Sequence, residues 1–192
     1  MLAHVHGQVW NASAFAQSFD VSAPTVRHYL DLLSDLFVVR QLQPLATNLK
    51  KRLVKAPKVY IRDSGLRHSL LRLGSLEELH GHPALGSSFE GFAIEQILDL
   101  VPPTCDAAFY RTHTGVEIDL VLSLQGRRRI AVEIKFTAAP TVTPGLRLAV
   151  QETGCSEGYV VTAGRETFPL GKHLHAMPLA LFLRDVIGPL SA

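Results

Sequence analysis

Two short segments in the middle of the chain set charged residues two apart among apolar ones, and this limits the fold more than any other feature. The first runs Val116-Glu117-Ile118-Asp119-Leu120-Val121-Leu122, the second Ile130-Ala131-Val132-Glu133-Ile134-Lys135-Phe136. Side chains alternate across a strand, so residues two apart share a face. Val116, Ile118, Leu120 and Leu122 fall on one side, with Glu117 and Asp119 on the other. In the second segment Ile130, Val132, Ile134 and Phe136 share a side, opposite Glu133 and Lys135. If the two strands pair antiparallel and their apolar sides meet one core, Ile118 and Ile134 share a face. The three acids and the lysine then converge on the other face. That register requires an odd-length loop or a bulge around Gln125-Gly126-Arg127.

The flanking sequence predicts an order of elements around this pair. Ser88 to Val101 reads as a helix stopped by Pro102-Pro103. Ala107 to Arg111, Val116 to Leu122 and Ile130 to Phe136 follow as strands. Gly145 to Thr153 is a helix closed by Gly154, and Gly158 to Thr162 a further strand. The order is αβββαβ, and the apolar tail Pro178 to Val186 suits a final helix. Upstream, a short helix over Ser13 to Ser18 leads to Ser22, whose hydroxyl can cap a second helix, with Pro24 in its first turn. Val26, Leu30, Leu33 and Phe37 then repeat at helical spacing, which makes a helix-turn-helix. Phe37-Val38-Val39 and Val59-Tyr60-Ile61 bracket a basic stretch as a wing. Leu66, Leu70, Leu71 and Leu73 suggest one more helix before Gly81 and Pro83. The expected fold is α+β: a winged helix-turn-helix over residues 1–62 with its leading helix clipped, then an α/β domain over residues 63–192 with a mixed sheet.

Composition narrows the class. Hydrophobic residues make up 47% of the 192 and charged ones 19%, which suits a packed core and excludes a disordered chain. No apolar run reaches the roughly 18 residues of a membrane span, and the first residues lack the basic region of a signal peptide. The two cysteines, Cys105 and Cys155, give neither a disulfide framework nor a zinc motif. They read as thiols of a reducing, cytoplasmic compartment. Three His-x-His pairs, His4/His6, His80/His82 and His173/His175, have no Cys or acid set beside them and read as surface residues. A phosphate-cradling loop is also missing. Between Gly164 and Gly171-Lys172 lie six residues instead of four, and His173 stands where Ser or Thr is needed, so no nucleotide site is expected.

The chemistry-bearing residues are those of the strand pair. Asp119 and Glu133 on adjacent strands offer hard oxygens to a divalent ion, Mg²⁺ or Mn²⁺. Lys135 stands where it could orient an attacking water or balance a phosphate. Glu90 borders the buried face of the preceding helix at Ala93, Ile94 and Ile97, where a carboxylate is costly unless paired or metal-bound. The net charge of +2 confines nucleic-acid affinity to local patches. Lys50, Lys51, Arg52, Lys55, Lys58 and Arg62 form the densest basic run and would track a phosphate backbone as a wing. Arg27 and His28 lie near the start of the would-be recognition helix, and Arg111 ends the first strand of the domain. The same features also suit a solvated sheet face and a protein-binding adaptor.

Glu90 on a helix, Asp119 on a strand and Glu133-Ile134-Lys135 on the next resemble the PD-(D/E)xK nuclease superfamily. More specific is a set of segments: Asn11-Ala12-Ser13, Thr25-Val26-Arg27-His28-Tyr29-Leu30, Lys58-Val59-Tyr60-Ile61-Arg62-Asp63-Ser64-Gly65-Leu66, Phe89-Glu90-Gly91-Phe92, Tyr110-Arg111-Thr112 and Glu117-Ile118-Asp119-Leu120-Val121. Together they resemble the C-terminal domain of bacterial and archaeal AAA-type ATPases called domain of unknown function 4143. The resemblance covers nearly the whole chain. It implies a winged-helix plus nuclease-like fold joined to an upstream ATPase domain, with DNA as partner. It implies a metal-dependent phosphodiester hydrolysis, or else a regulatory module that retains the nuclease fold.

Overall fold

The computed structural model describes residues 1–46, 54–125 and 128–190. Helix α1 (Ala12–Phe19) starts where the Asn11 side chain accepts the Ala14 N–H at 3.2 Å. Helix α2 (Ala23–Asp35) starts where Ser22 Oγ accepts the Thr25 N–H, also at 3.2 Å. Each cap satisfies an orphan amide of a first turn. Val26 and Leu30 of α2 are buried as their spacing predicts, but Phe37 is not part of that series. The helix ends at Asp35, and Phe37 is 74% exposed with a left-handed φ of 58°, so it belongs to a turn.

Three short strands complete the N-terminal unit: β1 (Gln8–Val9), β2 (Val39–Leu42) and β3 (Lys58–Ile61), in the order β1-β3-β2 and antiparallel throughout. The β2–β3 hairpin stands where a wing was expected, shifted by two residues at its start. Strand β1, too short to leave a pattern, makes β3 the central strand. All four β3 residues are buried. Val59 packs beneath α2 with Leu30 and Val39, whereas Tyr60 joins the main core of the chain. One strand thus ties the two parts together.

Helices α3 (Ser64–Leu70), α4 (Leu76–His80) and α5 (Leu85–Leu100) lead into strands β4 (Asp106–Arg111), β5 (Glu117–Ser123) and β6 (Arg129–Lys135). Helix α6 (Pro144–Thr153) is capped by Thr143 and closed by Gly154 at φ 69°. Strands β7 (Glu157–Thr162), β8 (Phe168–Gly171) and β9 (Leu174–Pro178) follow, then α7 (Leu179–Phe182), which widens into a π-helical turn over Leu183–Ile187. The sheet order is β4-β5-β6-β7-β9-β8. Its first three strands are antiparallel, β6, β7 and β9 run parallel, and β8 pairs antiparallel with β9. The expected αβββαβ series is present in this mixed sheet, and the β8–β9 hairpin extends it. Pro169 and Pro178 had masked those strands, since proline removes a ladder donor.

Helices cover both faces of the six-stranded sheet. Ala93, Ile94 and Ile97 of α5 pack with Leu120, Leu122, Ile130, Val132 and Ile134. Leu146 and Ala149 of α6 pack with Ile118, Val121, Ala131 and Val160 on the other side. Ile118 and Ile134 therefore do not share a face, contrary to the simple alternation. The cause is a β-bulge. Strand β5 pairs Val121 with Ala108 but Ile118 with Tyr110, so Asp119 and Leu120 together stand opposite Phe109. An extra residue inverts the side-chain alternation beyond it. The odd-length connection expected around Gln125 is present, since Ser123 pairs with Arg129, and the inversion comes from the further bulge at Asp119; Gly126 and Arg127 themselves lie outside the described residues.

Candidate functional site

The bulge gives the site its shape. The β5–β6 ladder runs from Ser123–Arg129 to Leu120–Val132 and stops there. One turn of the pleat further on, Asp119 Oδ2 accepts the Ile134 N–H at 2.9 Å. The carboxylate takes the place of a ladder partner, so the strand ends part and Asp119 is held by backbone. Such a bond fixes a side chain far better than a surface ion pair.

Beside this opening lies a cleft of about 580 Å³ between the N-terminal unit and the sheet. Glu90, Glu117, Asp119 and Glu133 line it together with Arg111, and so does Lys58 of β3. The sequence placed Lys58 in a basic run suited to tracking a phosphate backbone. Instead its side chain is 2% exposed and lies among three carboxylates. Lys58 Nζ is 2.6 Å from Glu117 Oε1, 3.2 Å from Glu90 Oε1 and 3.2 Å from Asp119 Oδ1. The buried Phe109 ring, with its centroid 5.7 Å away, borders the same ammonium. Two residues along the same face of β3, Tyr60 donates its hydroxyl to Glu90 Oε1 at 2.6 Å. Arg62, another residue of the basic run, also turns inward, to Glu95 and Asp99 of α5.

Charges in the cleft are close to balanced. Four carboxylates, Glu90, Glu117, Asp119 and Glu133, face four cations: Lys58, Lys135 at 3.6 Å from Glu133, Arg111 at 3.4 Å from Glu117, and Arg67 of α3, which lines the cleft and feels the charge of Glu90. Burial, then the Asp119 charge, pushes Glu133 up to about 8 against the pull of Lys135. Burial and Asp119 likewise push Glu90 up to about 7 against Lys58 and Tyr60. Burial alone would lower the Lys58 ammonium, but Asp119, Glu90 and Glu117 outweigh it and hold Lys58 above its ordinary range. Two carboxyl groups that exchange protons near neutrality in one cleft mark a place suited to acid–base chemistry.

The raised carboxyls set a direction for stability. A folded-state value above the unfolded one contributes stability that is complete below the ordinary carboxylate range. It is lost as the pH rises through the folded value, here about 7 for Glu90 and about 8 for Glu133. Glu133→Gln should therefore match the wild type only at about pH 4, and melt at a progressively higher temperature than it as the pH rises to about 9. Differential scanning calorimetry at both pH values checks this; a variant that is less stable at the higher pH contradicts it.

Among the described residues no three His, Cys, Asp or Glu side chains are grouped so as to hold a metal ion. The point where Glu90, Glu117 and Asp119 converge holds the Lys58 ammonium, which has one N–H for each of them. As arranged, the cluster fits an ammonium, and a divalent ion would have to displace it.

Of the other sequence-predicted residues, Arg111 lines the cleft, whereas Arg27 and His28 are exposed on α2 and do not. Lys50, Lys51 and Arg52 lie outside the described residues. His6 is not on the surface, as its His-x-His spacing suggested: it is buried, and its Nδ1 accepts the Ile61 N–H at 3.0 Å. Its ring lies so close to Gly91 of α5 that a Cβ there would stand 2.1 Å from Nε2, so glycine is what lets the buried His6 ring seat against α5. Burial, then the charge of Arg67, lowers His6 to about 3 and keeps it neutral. Lys58 and Tyr60 are the site residues that sequence reasoning missed. Their signal was a lysine and a tyrosine two apart in a strand whose other residues are Val59 and Ile61.

Comparison with known proteins places this geometry in a family. Residues 1–77 match the family described as Domain of unknown function (DUF8612), and residues 85–182 match Domain of unknown function (DUF4143). The chain is 40% identical over 178 residues to the uncharacterized protein Rv2008c of Mycobacterium tuberculosis and, equally, to the uncharacterized protein Mb2031c of Mycobacterium bovis. The match covers 93% of this chain and 40% of each relative, so the chain spans well under half the length of the curated relatives it matches. No solved structure matches it. No helix among the described residues is long and apolar enough to cross a membrane. With the DUF4143 match running through α5, the β5 bulge and the strand of Glu133 and Lys135, the chain belongs to the DUF4143 family.

Proposed function

We propose that this chain is a PD-(D/E)xK-type nuclease domain preceded by a winged helix-turn-helix, acting on the phosphodiester bonds of DNA as part of a longer ATPase-driven protein. The observation that carries the proposal is the meeting of Glu90, Asp119 and Glu133 in one cleft with Lys135 beside them. Hydrolysis needs a water to give up a proton as its oxygen attacks phosphorus, and the departing sugar oxygen to receive one. Glu133, held up to about 8, can exchange protons near neutral pH, and Lys135 supplies positive charge beside it. Arg111 stands at the same cleft to meet a phosphate. DNA contact by Arg27, His28 and the basic residues Lys50, Lys51 and Arg52 belongs to the same proposal. So does Mg²⁺ or Mn²⁺ on Asp119 and Glu133, which requires Lys58 to yield.

A second reading is favoured by the Lys58 ammonium itself. With its donors already taken up by three carboxylates, the cluster can serve as a charge-matched joint in a non-catalytic adaptor. Cleavage of end-labelled single-stranded and duplex DNA in Mg²⁺ or Mn²⁺ separates the two. The nuclease reading expects cleavage by the wild type and a loss of about a hundredfold or more in both Asp119→Asn and Lys135→Ala. A wild type that cuts no form of DNA, or cuts no faster than Asp119→Asn, leaves the adaptor reading.

A further inference from the structure

Lys58 reaches the acid cluster from a part of the chain that the DUF4143 match does not include. It stands on β3, within residues 1–77, whereas Glu90, Glu117 and Asp119 stand on α5 and β5, within residues 85–182. The contact is built, not incidental. Strand β3 is central in its own sheet, held on one side by β1 and on the other by β2. Tyr60 reaches the same Glu90 oxygen from the same face of that strand. Buried side chains normally exclude an ammonium unless several anions compensate it, and here three do so from two elements. The remaining charges that face the cluster are Glu133 with Lys135 on β6, Arg67 on α3, which lines the same cleft, and Arg111 on β4, whose guanidinium is 3.4 Å from Glu117.

We infer that the Lys58 ammonium is the resident cation of this acid cluster, and that the N-terminal unit, by inserting it, excludes divalent metal from Glu90, Glu117 and Asp119. An ammonium and a divalent ion compete for the same carboxylate oxygens, and the lysine has the advantage of being tethered. The inference rests on reading the cleft as the reacting centre. It adds a control to it: metal enters only when β3 withdraws Lys58 or when the side chain swings out. The N-terminal unit is then part of the site, and a partner that loosens it from α5 would load the site with metal.

Direct metal binding tests this without relying on cleavage. Calorimetric titration of Mn²⁺ into the full chain should show Lys58→Met binding about tenfold or more tightly than the wild type, with Lys58→Arg staying at the wild-type value. Equal affinity in wild type and Lys58→Met overturns the inference and leaves the metal reading standing. An absence of Mn²⁺ binding in both proteins up to millimolar concentration overturns the inference and the metal reading together. Should Lys58→Met fail to fold alone, refolding it in millimolar Mn²⁺ provides the second measurement. Recovery of native circular dichroism supports the exchange of one cation for the other, and no recovery overturns it.

Discussion

Lys58→Met is expected to destabilise the chain by about 3–5 kcal/mol, the cost of removing one partner from a buried charge cluster. Three carboxylates lie within 3.2 Å of the ammonium, and the side chain is almost wholly buried, so water does not replace it. For a chain of this size the melting temperature should fall by roughly 6–20 °C. The loss should be smaller at low pH, where Glu90 and Glu133 take up protons and the unpaired negative charge shrinks. A thermal melt of the variant within a degree or two of wild type would show that the carboxylates do not need this cation.

Glu95→Gln should have the next largest effect. The Glu95 carboxylate is 8% exposed on α5 and binds two arginines of the N-terminal unit: Arg40 of β2 through Nε and through Nη2 at 2.9 Å, and Arg62 through Nε at 2.7 Å. One carboxylate thus fastens the N-terminal sheet to the same helix that carries Glu90. Both arginines are about a quarter exposed and can regain water, which places the cost near the lower end for a broken buried pair, about 3 kcal/mol. A fall of roughly 6–12 °C in melting temperature is expected. Because the two units would separate more easily, proteolysis between α3 and α5 should accelerate in the variant. A change of stability below about 0.5 kcal/mol would mean that the arginines are satisfied elsewhere.

Local signals placed α2, α5 and α6: Ser22 caps the first, Pro102-Pro103 stops the second and Gly154 closes the third, as such residues do in any chain. The acidic residues of β5 and β6 were legible because charges within apolar strands need a reason to be there. Which face they occupy was not, since an apolar helix covers each side of the sheet and the Asp119 bulge inverts the alternation. Lys58 was hidden for a different reason. Within a run of basic residues it reads as solvated, and only the tertiary contact of β3 with α5 and β5 turns it inward. The same holds for Arg62 and His6, whose partners lie 33 and 55 residues away.

Lys58 is bound to the acid cluster as its counter-ion, so that the site is shared by both units of the chain. A double-mutant cycle between Lys58→Met and Asp119→Asn measures that bond most directly, by chemical denaturation of wild type, both single variants and the double variant. The account predicts that Asp119→Asn offsets part of the damage done by Lys58→Met, with a coupling energy above about 1 kcal/mol. Costs that simply add, to within about 0.5 kcal/mol, would contradict it.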